Sequence, residues 1–513
     1  MKRLYIPIVI TSLLSSCSLD VIPENALTYT NAFLTERDLN TTTTNIHLHL
    51  SKLPELSTAY DVGTLADEIT EGKDFREWSP IAVTRRNVNW KPHYDAIYTA
   101  NLLLDNIYRT EGISDERRNY HRGQALFAKG FCYFSLSQHF GTAVVTEDSK
   151  RLTAYPLSSI IQVIDASIAA AEEGYNILPV HSELSTISGA PVPNKQFASK
   201  GSCAALLAHA YAWKGSLIEL LNLDGDAQTA YQKSIEYASK LMDGSAGNYT
   251  LLSSVEELCK AISNPTQVNS EDIFLFAFDR FQSEYSVSPS PYTGYVGWPI
   301  DKFKVLGEIE TSTNFRLYKS TAETLYPDEE DQRRQAFFYK WEDKHEVDDK
   351  EYALLHKYRE GVYVVDQFDP NGGYFRSLNA NYNYWRLADL ILLRAECLAK
   401  LGRNAEAEKD LNMIRVRAGA KPYPAPHDKD LKAAIFNERE RELIGESNHR
   451  YFDIVRNNYI STKLEGKFKT LTPTDMKNGA LFLPIPISAY QDKSGQITNT
   501  LIIQSIYWNM YVS

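Results

Sequence analysis

Apolar residues recur three and four positions apart along most of this chain, the spacing that gathers them on one face of a helix. Residues 124–140 carry Ala125, Phe127, Ala128, Phe131, Phe134 and Leu136 on such a stripe, which stops at Gly141. The stretch 158–177 lines up Ile160, Ile161, Ile164, Ile168 and Ala171 and ends before Pro179. Residues 197–213 present Ala204, Leu207, Ala208 and Tyr211, with Gly215 as the predicted stop. Residues 226–242 follow with Ala227, Ala230, Tyr231, Ile235 and Ala238. The cleanest pair comes later. Residues 386–401 are apolar at Leu387, Leu390, Ile391, Ala395 and Leu398, Gly402-Arg403-Asn404 makes a turn, and 405–418 return with Ala407, Leu411 and Ile414 before Gly419.

Helices of this length, joined through a Gly-containing turn with small residues at their crossings, resemble tetratricopeptide units. The units are divergent, and 217–225 reads as an insertion inside one of them. The expected fold is therefore predominantly all-α, a scaffold of helix pairs and not a regular solenoid. Between about 244 and 380 the pattern degrades into Ser, Pro, Gly and aromatic residues, as in Ser286 through Pro299. A long irregular segment inside a compact fold is usually functional or disordered, and an aromatic-laden one points to function.

The amino terminus reads as an export signal. Met1-Lys2-Arg3 precede an apolar stretch from Leu4 to Leu14, too short to stay in a bilayer as a spanning helix, and small residues follow. Leu14-Ser15-Ser16-Cys17 resembles a bacterial lipobox, so residues 1–16 are expected to be removed and Cys17 to be acylated. Several acyl chains on one cysteine hold stably, because each buried methylene adds about 0.8 kcal/mol. Asp20 through Asn25 look like an extended leader, and the first helix is expected to begin within 30–38. The chain divides on this reading into the signal (1–16), the anchored leader and first helix (17–40), a helical region (41–243), the loop-rich region (244–380) and a carboxy-terminal helical region (381–513), all in one globule.

Composition narrows the chemistry. With 513 residues, 54 Lys+Arg against 65 Asp+Glu and a net charge of −11, the chain lacks the basic excess that nucleic acid requires. Of the cysteines beyond Cys17, Cys132, Cys203 and Cys397 lie in helical patterns as small core hydrophobes, and Cys259 completes the set. No CxxC or Cys/His spacing suggests zinc or a disulfide framework. His47-Leu48-His49 is spaced wrongly for a helical metal site. No HExxH, GxSxG or phosphate-cradling glycine loop occurs. The Glu/Arg alternation over 438–442 is read as salt bridging, and Arg450, Asp453 and Arg456 as a structural ion cluster. No metal, cofactor or catalytic residue is expected, so an enzyme is disfavoured. The 32 tyrosines suit packing as well as polar ligands.

Several ordered motifs resemble the SusD/RagB family. They are the helix Trp90, Tyr94, Ile97 and Asn101; the 124–141 helix, with Gln124 and Lys129 where Glu and Arg are commoner; the 200–215 helix; and Trp385-Arg386-Leu387-Ala388-Asp389 with Arg394-Ala395-Glu396. Leu411-Asn412-Met413-Ile414-Arg415 with Arg417-Ala418-Gly419, Glu438-Arg439 with Arg450-Tyr451-Phe452-Asp453, and an expected strand at Leu483-Pro484-Ile485-Pro486 complete the match. The family's last signature is degraded at 499–505. The resemblance implies a SusD-like fold and a lipid-anchored outer-membrane lipoprotein, exposed at the cell surface, that works beside a SusC-like TonB-dependent transporter. It implies a glycan ligand in most members and a peptide in the RagB branch; a ligand-free lid or scaffold for the transporter is a further reading.

A sugar site combines aromatic platforms for C–H faces with planar donors and acceptors for hydroxyls. Two segments offer that: Phe75, Arg76 and Trp78, and Tyr285, Tyr292, Tyr295 and Trp298 on a loop stiffened by prolines. Phe337 through Trp341 is a lesser candidate that looks like scaffold. Trp90, Tyr94 and Asn101 are read as structural.

Overall fold

Helix starts are fixed by local chemistry. Ser159 Oγ accepts from the Gln162 amide while the Gln162 side chain accepts from the Ser159 amide, and Thr35 with Asp38 and Ser199 with Ser202 repeat the device. Asp226 and Asp430 cap their helices by accepting from Thr229 N and Ala433 N. Each such cap adds about 1 kcal/mol.

The computed structural model describes residues 32–54, 62–69, 72–86, 88–151, 153–278, 315–369, 372–446 and 449–512. Its principal elements are α1 (Glu36–Leu50), β1 (Glu68–Ile69), α2 (Lys91–Asn106), α3 (Asp115–His139), α4 (Ile160–Ile177), α5 (Lys200–Leu221), α6 (Ala227–Met242), α7 (Val255–Ile262) and β2 (Asp272–Phe276). Then come β3 (Phe315–Tyr318), β4 (Glu346–Val347), β5 (Lys350–Ala353), β6 (Gly361–Val365), β7 (Gly373–Leu378), β8 (Tyr382–Arg386), α8 (Leu387–Lys400), α9 (Asn404–Arg417), α10 (Leu431–Glu442) and α11 (His449–Arg456).

The helices stack in sequence order. α3 lies between α2 and α4, α4 against α5, and α5 against α6; α8 packs on α6 and returns through α9. One apolar cluster runs continuously from Ala32 to Trp508. The stretch that lost helical periodicity holds β2 to β7, which with β1 and β8 form small antiparallel sheets: β1-β3-β5-β4, the pair β2–β8, and the hairpin β6–β7. Cys132, Cys203, Cys259 and Cys397 are all buried and free. No helix among the described residues is long and apolar enough to cross a membrane.

Three expectations need correction. α3 starts at Asp115 instead of 124, because its first two turns are polar and leave no apolar stripe to read; a Ser114 cap and the Arg117–Glu36 ion pair (2.6 Å) hold them. α5 does not stop at Gly215 but runs to Leu221, so 217–221 is helix and not insertion. That glycine is there for space: a Cβ would sit 2.8 Å from the Tyr231 ring of α6. Residues 483–486 are not a strand. Two prolines remove ladder donors, and the remaining amides are spent on His139 O (from Leu483, 2.8 Å) and the Gln504 side chain (from Ile485, 3.0 Å).

The Glu/Arg helix α10 bridges outward more than along itself. Glu438 and Arg441 make the expected i,i+3 pair, but Glu438 also receives Arg333 and Arg415, and Glu442 receives Arg333, Arg386 and Arg417. Arg386 also reaches Glu271 and Glu446. Burial pushes the Glu442 carboxyl up, but the guanidiniums of Arg417, Arg386 and Arg333 outweigh it and bring it to about 2. Arg456 and Asp453 pair at 2.6 Å as read, whereas Arg450 turns to Glu440.

Candidate functional site

Two short strands neighbour the nominated segments in sequence. β1 lies just before 75–78, β3 just after the aromatic loop, and they pair antiparallel with Glu68 opposite Arg316 and Ile69 opposite Phe315. β3 alternates as its sequence dictates: Phe315 and Leu317 are buried, while Arg316 and Tyr318 are partly exposed.

On this sheet Glu68 is the hub. It accepts from Arg316 Nη1 (3.0 Å), Tyr318 Oη (2.6 Å) and Tyr352 Oη (3.3 Å), and it is paired with Lys350. The Tyr318 and Tyr352 rings stand 5.7 Å apart. Asp67 takes the Tyr318 amide (2.6 Å) and the Thr321 hydroxyl (2.7 Å). Burial raises the Glu68 carboxyl, but hydrogen bonds from Lys350, Tyr318 and Arg316 prevail and bring it to about 2. A carboxyl held ionised in this way cannot serve as the proton donor a glycosidase needs. The patch offers tyrosine rings, a guanidinium, an ammonium and a fixed carboxylate, groups able to stack on and hydrogen-bond a polar ligand.

Phe75, Arg76 and Trp78 point elsewhere, which corrects their reading as ligand platforms. The chain reverses at Trp78 (φ 57°) and carries the indole inward. There it stacks on Phe468 (4.8 Å), meets Trp508 edge-on (5.6 Å) and donates from Nε1 to Ala480 O (2.7 Å). Phe75 is buried beneath the Arg86 guanidinium (4.4 Å). Arg76 is 8% exposed and donates to Ala66 O (2.7 Å) and Glu465 (3.2 Å). The run is an anchor: the amide of Lys467 donates to Glu77 O (2.8 Å), an approach open to Gly466 because a Cβ there would lie 2.1 Å from that oxygen.

Tyr285, Tyr292, Tyr295 and Trp298 lie outside the described residues. Trp341 is buried, with Lys319 3.6 Å from its ring centre. Tyr94 binds the backbone of Val144 through its hydroxyl, and Asn101 accepts from Lys129 (2.8 Å), as structural residues do. The sequence reading missed Glu68, Arg316, Tyr318, Lys350 and Tyr352. The alternation Phe-Arg-Leu-Tyr over 315–318 is the signal that exposes two of them.

Comparison with known proteins gives consistent matches. Residues 19–209 match the family described as starch-binding associating with outer membrane, and residues 313–500 match the SusD family. "SusD-like protein P25" of Formosa agariphila is 23% identical over 457 residues, covering 80% of this chain and 78% of that protein. A SusD homolog from Bacteroides thetaiotaomicron superposes with a TM-score of 0.71 at 22% identity, over 93% of this chain and 99% of its own. B. fragilis NanU gives 0.66 at 20% identity, over 94% and 99%. At these identities the structural likeness establishes the fold.

Proposed function

This chain is a SusD-like family protein, and from that footing we propose that it is a cell-surface glycan-binding lipoprotein which captures oligosaccharide and passes it to a SusC-like TonB-dependent transporter. On this reading residues 1–16 are the export signal, Cys17 carries the lipid that holds the protein to the outer membrane, and 244–380 supplies the ligand face. The protein works by stacking and hydrogen bonding without covalent chemistry. The observation that carries the reading is the β1–β3 pairing, which sets the Tyr318 ring and the Arg316 guanidinium around the Glu68 carboxylate on one partly exposed sheet. The family description of starch binding at the outer membrane supports it.

Affinity electrophoresis tests the proposal. The exported chain, extracted in mild detergent, is run through native gels containing plant and host polysaccharides. At least one glycan is expected to retard it, and Trp298→Ala and Tyr318→Ala each to weaken the retardation about tenfold, equivalent to about 1.4 kcal/mol. Migration indifferent to every glycan, with binding to protein digests instead, would transfer the role to peptide capture.

A further inference from the structure

A second site lies where the described sheet residues do not reach. A cleft of about 820 Å³ opens between the start of α2, the segment 144–155 and the carboxy-terminal segment 488–502. None of its lining residues belongs to β1, β3 or β5. Its volume falls within the range of roughly 300–1,000 Å³ typical of small-molecule sites.

The three walls are fastened to each other, so the cleft is formed before any ligand arrives. Tyr94 Oη donates to Val144 O and accepts from Val144 N, both at 2.7 Å. The Asn499 side chain donates to Tyr155 O (3.3 Å), and the Leu157 amide to Leu501 O (3.4 Å). Pre-formed walls spare a ligand the entropy of ordering them.

The lining sets the ligand's chemistry. Trp90, Tyr94 and Tyr155 supply aromatic surface; Asn89, Thr146, Thr153, Ser488, Thr498 and Asn499 supply neutral donors and acceptors. Trp90 is 5% exposed, and among the described residues neither its indole N–H nor the buried Tyr155 hydroxyl has a hydrogen-bond partner. Fixed charge is absent from the described lining apart from Lys91, whose ammonium is held by both oxygens of Asp95 (2.8 and 2.7 Å). Arg151, just outside, lies over the Tyr155 ring (4.0 Å) and donates to Thr153 Oγ1 (2.9 Å) and Ala154 O (3.2 Å). Aromatic faces with amides and hydroxyls, and a single described cation already paired with a carboxylate, suit a neutral polyhydroxylated molecule.

We infer that this cleft is a second binding site, separate from the loop-flanking sheet, for a short neutral oligosaccharide. The inference rests on the glycan reading above, with a different set of residues. It gives the protein two grips on a glycan, and two grips raise the effective affinity for a long chain that spans them.

Titration calorimetry on the exported chain in mild detergent tests it, with maltohexaose, cellohexaose, mannohexaose and xylohexaose as probes. Ser488 and Thr498 are exposed, so Ser488→Trp and Thr498→Trp fill the cleft without touching the core, and thermal melts verify folding. One neutral hexasaccharide is expected to bind and to lose at least tenfold in affinity in both plugged variants, in the wild-type and the Tyr318→Ala background alike. Plugged variants that bind like wild type, while Trp298→Ala or Tyr318→Ala weakens binding, would overturn the cleft and leave glycan capture standing. Binding only of an alginate hexasaccharide, or only of a tryptic digest of casein, lost on plugging, would overturn the neutral saccharide as occupant. A wild-type chain that binds none of the saccharides would overturn this inference and the glycan reading together.

Discussion

Asp272 is a carboxyl that the fold buries completely. Its oxygens accept from Asn269 Nδ2 (2.7 Å) and Asn383 Nδ2 (3.1 Å). Burial is the largest influence and, with Glu271 adding to it against the Asn269 bond, lifts the carboxyl from 3.8 to about 7. The unfolded chain gives up this proton near 3.8, whereas the folded chain keeps it until about 7. The residue's contribution to stability is therefore full at low pH and is lost as pH rises through that window. Asp272→Asn keeps the shape and removes the titration. Its unfolding midpoint relative to wild type is expected to climb between about pH 4 and pH 7 and level off above. A difference that stays constant with pH in urea titrations would contradict the assignment. Sequence gave no hint of this group, since an aspartate before Ile273-Phe274-Leu275-Phe276 reads as an ordinary strand flank.

At the scale of elements, helical periodicity was legible and helix length was not. The stripes on α4, α6, α8 and α9 locate those helices, because a buried face imposes its spacing on the residues that fill it. Gly215 misled because glycine weakens helices in general, while here it serves contact between α5 and α6. Replacing a mid-helix glycine by alanine ordinarily gains up to about 1 kcal/mol. Gly215→Ala is expected to lose about 1–3 kcal/mol instead, because the new methyl meets the buried Tyr231 ring, which Glu219 holds by its hydroxyl at 2.6 Å. Urea unfolding decides the sign. The short strands β1 and β3 escaped detection for a different reason: the two residues of β1 show no period, the alternation of β3 lasts only four residues, and the two pair across a long stretch of sequence.

At the scale of the molecule, buried charge ties distant segments into one body. Glu442 draws Arg333, Arg386 and Arg417 from three elements, and all four side chains are nearly free of solvent. Glu442→Gln leaves three buried guanidiniums short of a counter-charge and is expected to cost about 3–5 kcal/mol in urea unfolding. A variant as stable as wild type would show that the remaining carboxylates absorb the loss.

Sequence alone determined that the chain is built from paired helices, that Cys132, Cys203 and Cys397 are core residues, and that ordered motifs run nearly end to end; each depends on local spacing or on residues that follow one another. Tertiary structure alone decided where Phe75 and Trp78 go. Trp78 and Trp298 look equivalent as letters in irregular stretches, yet the left-handed turn at Trp78 sends its indole onto Phe468 and Ala480. The Glu68 patch and the Trp90 cleft likewise exist only through contacts between positions hundreds of residues apart, such as Glu68 with Arg316 and Tyr155 with Asn499. Burial and proximity are properties of the packed chain, and side-chain chemistry becomes a site only after packing has chosen which groups meet and which stay within reach of a ligand.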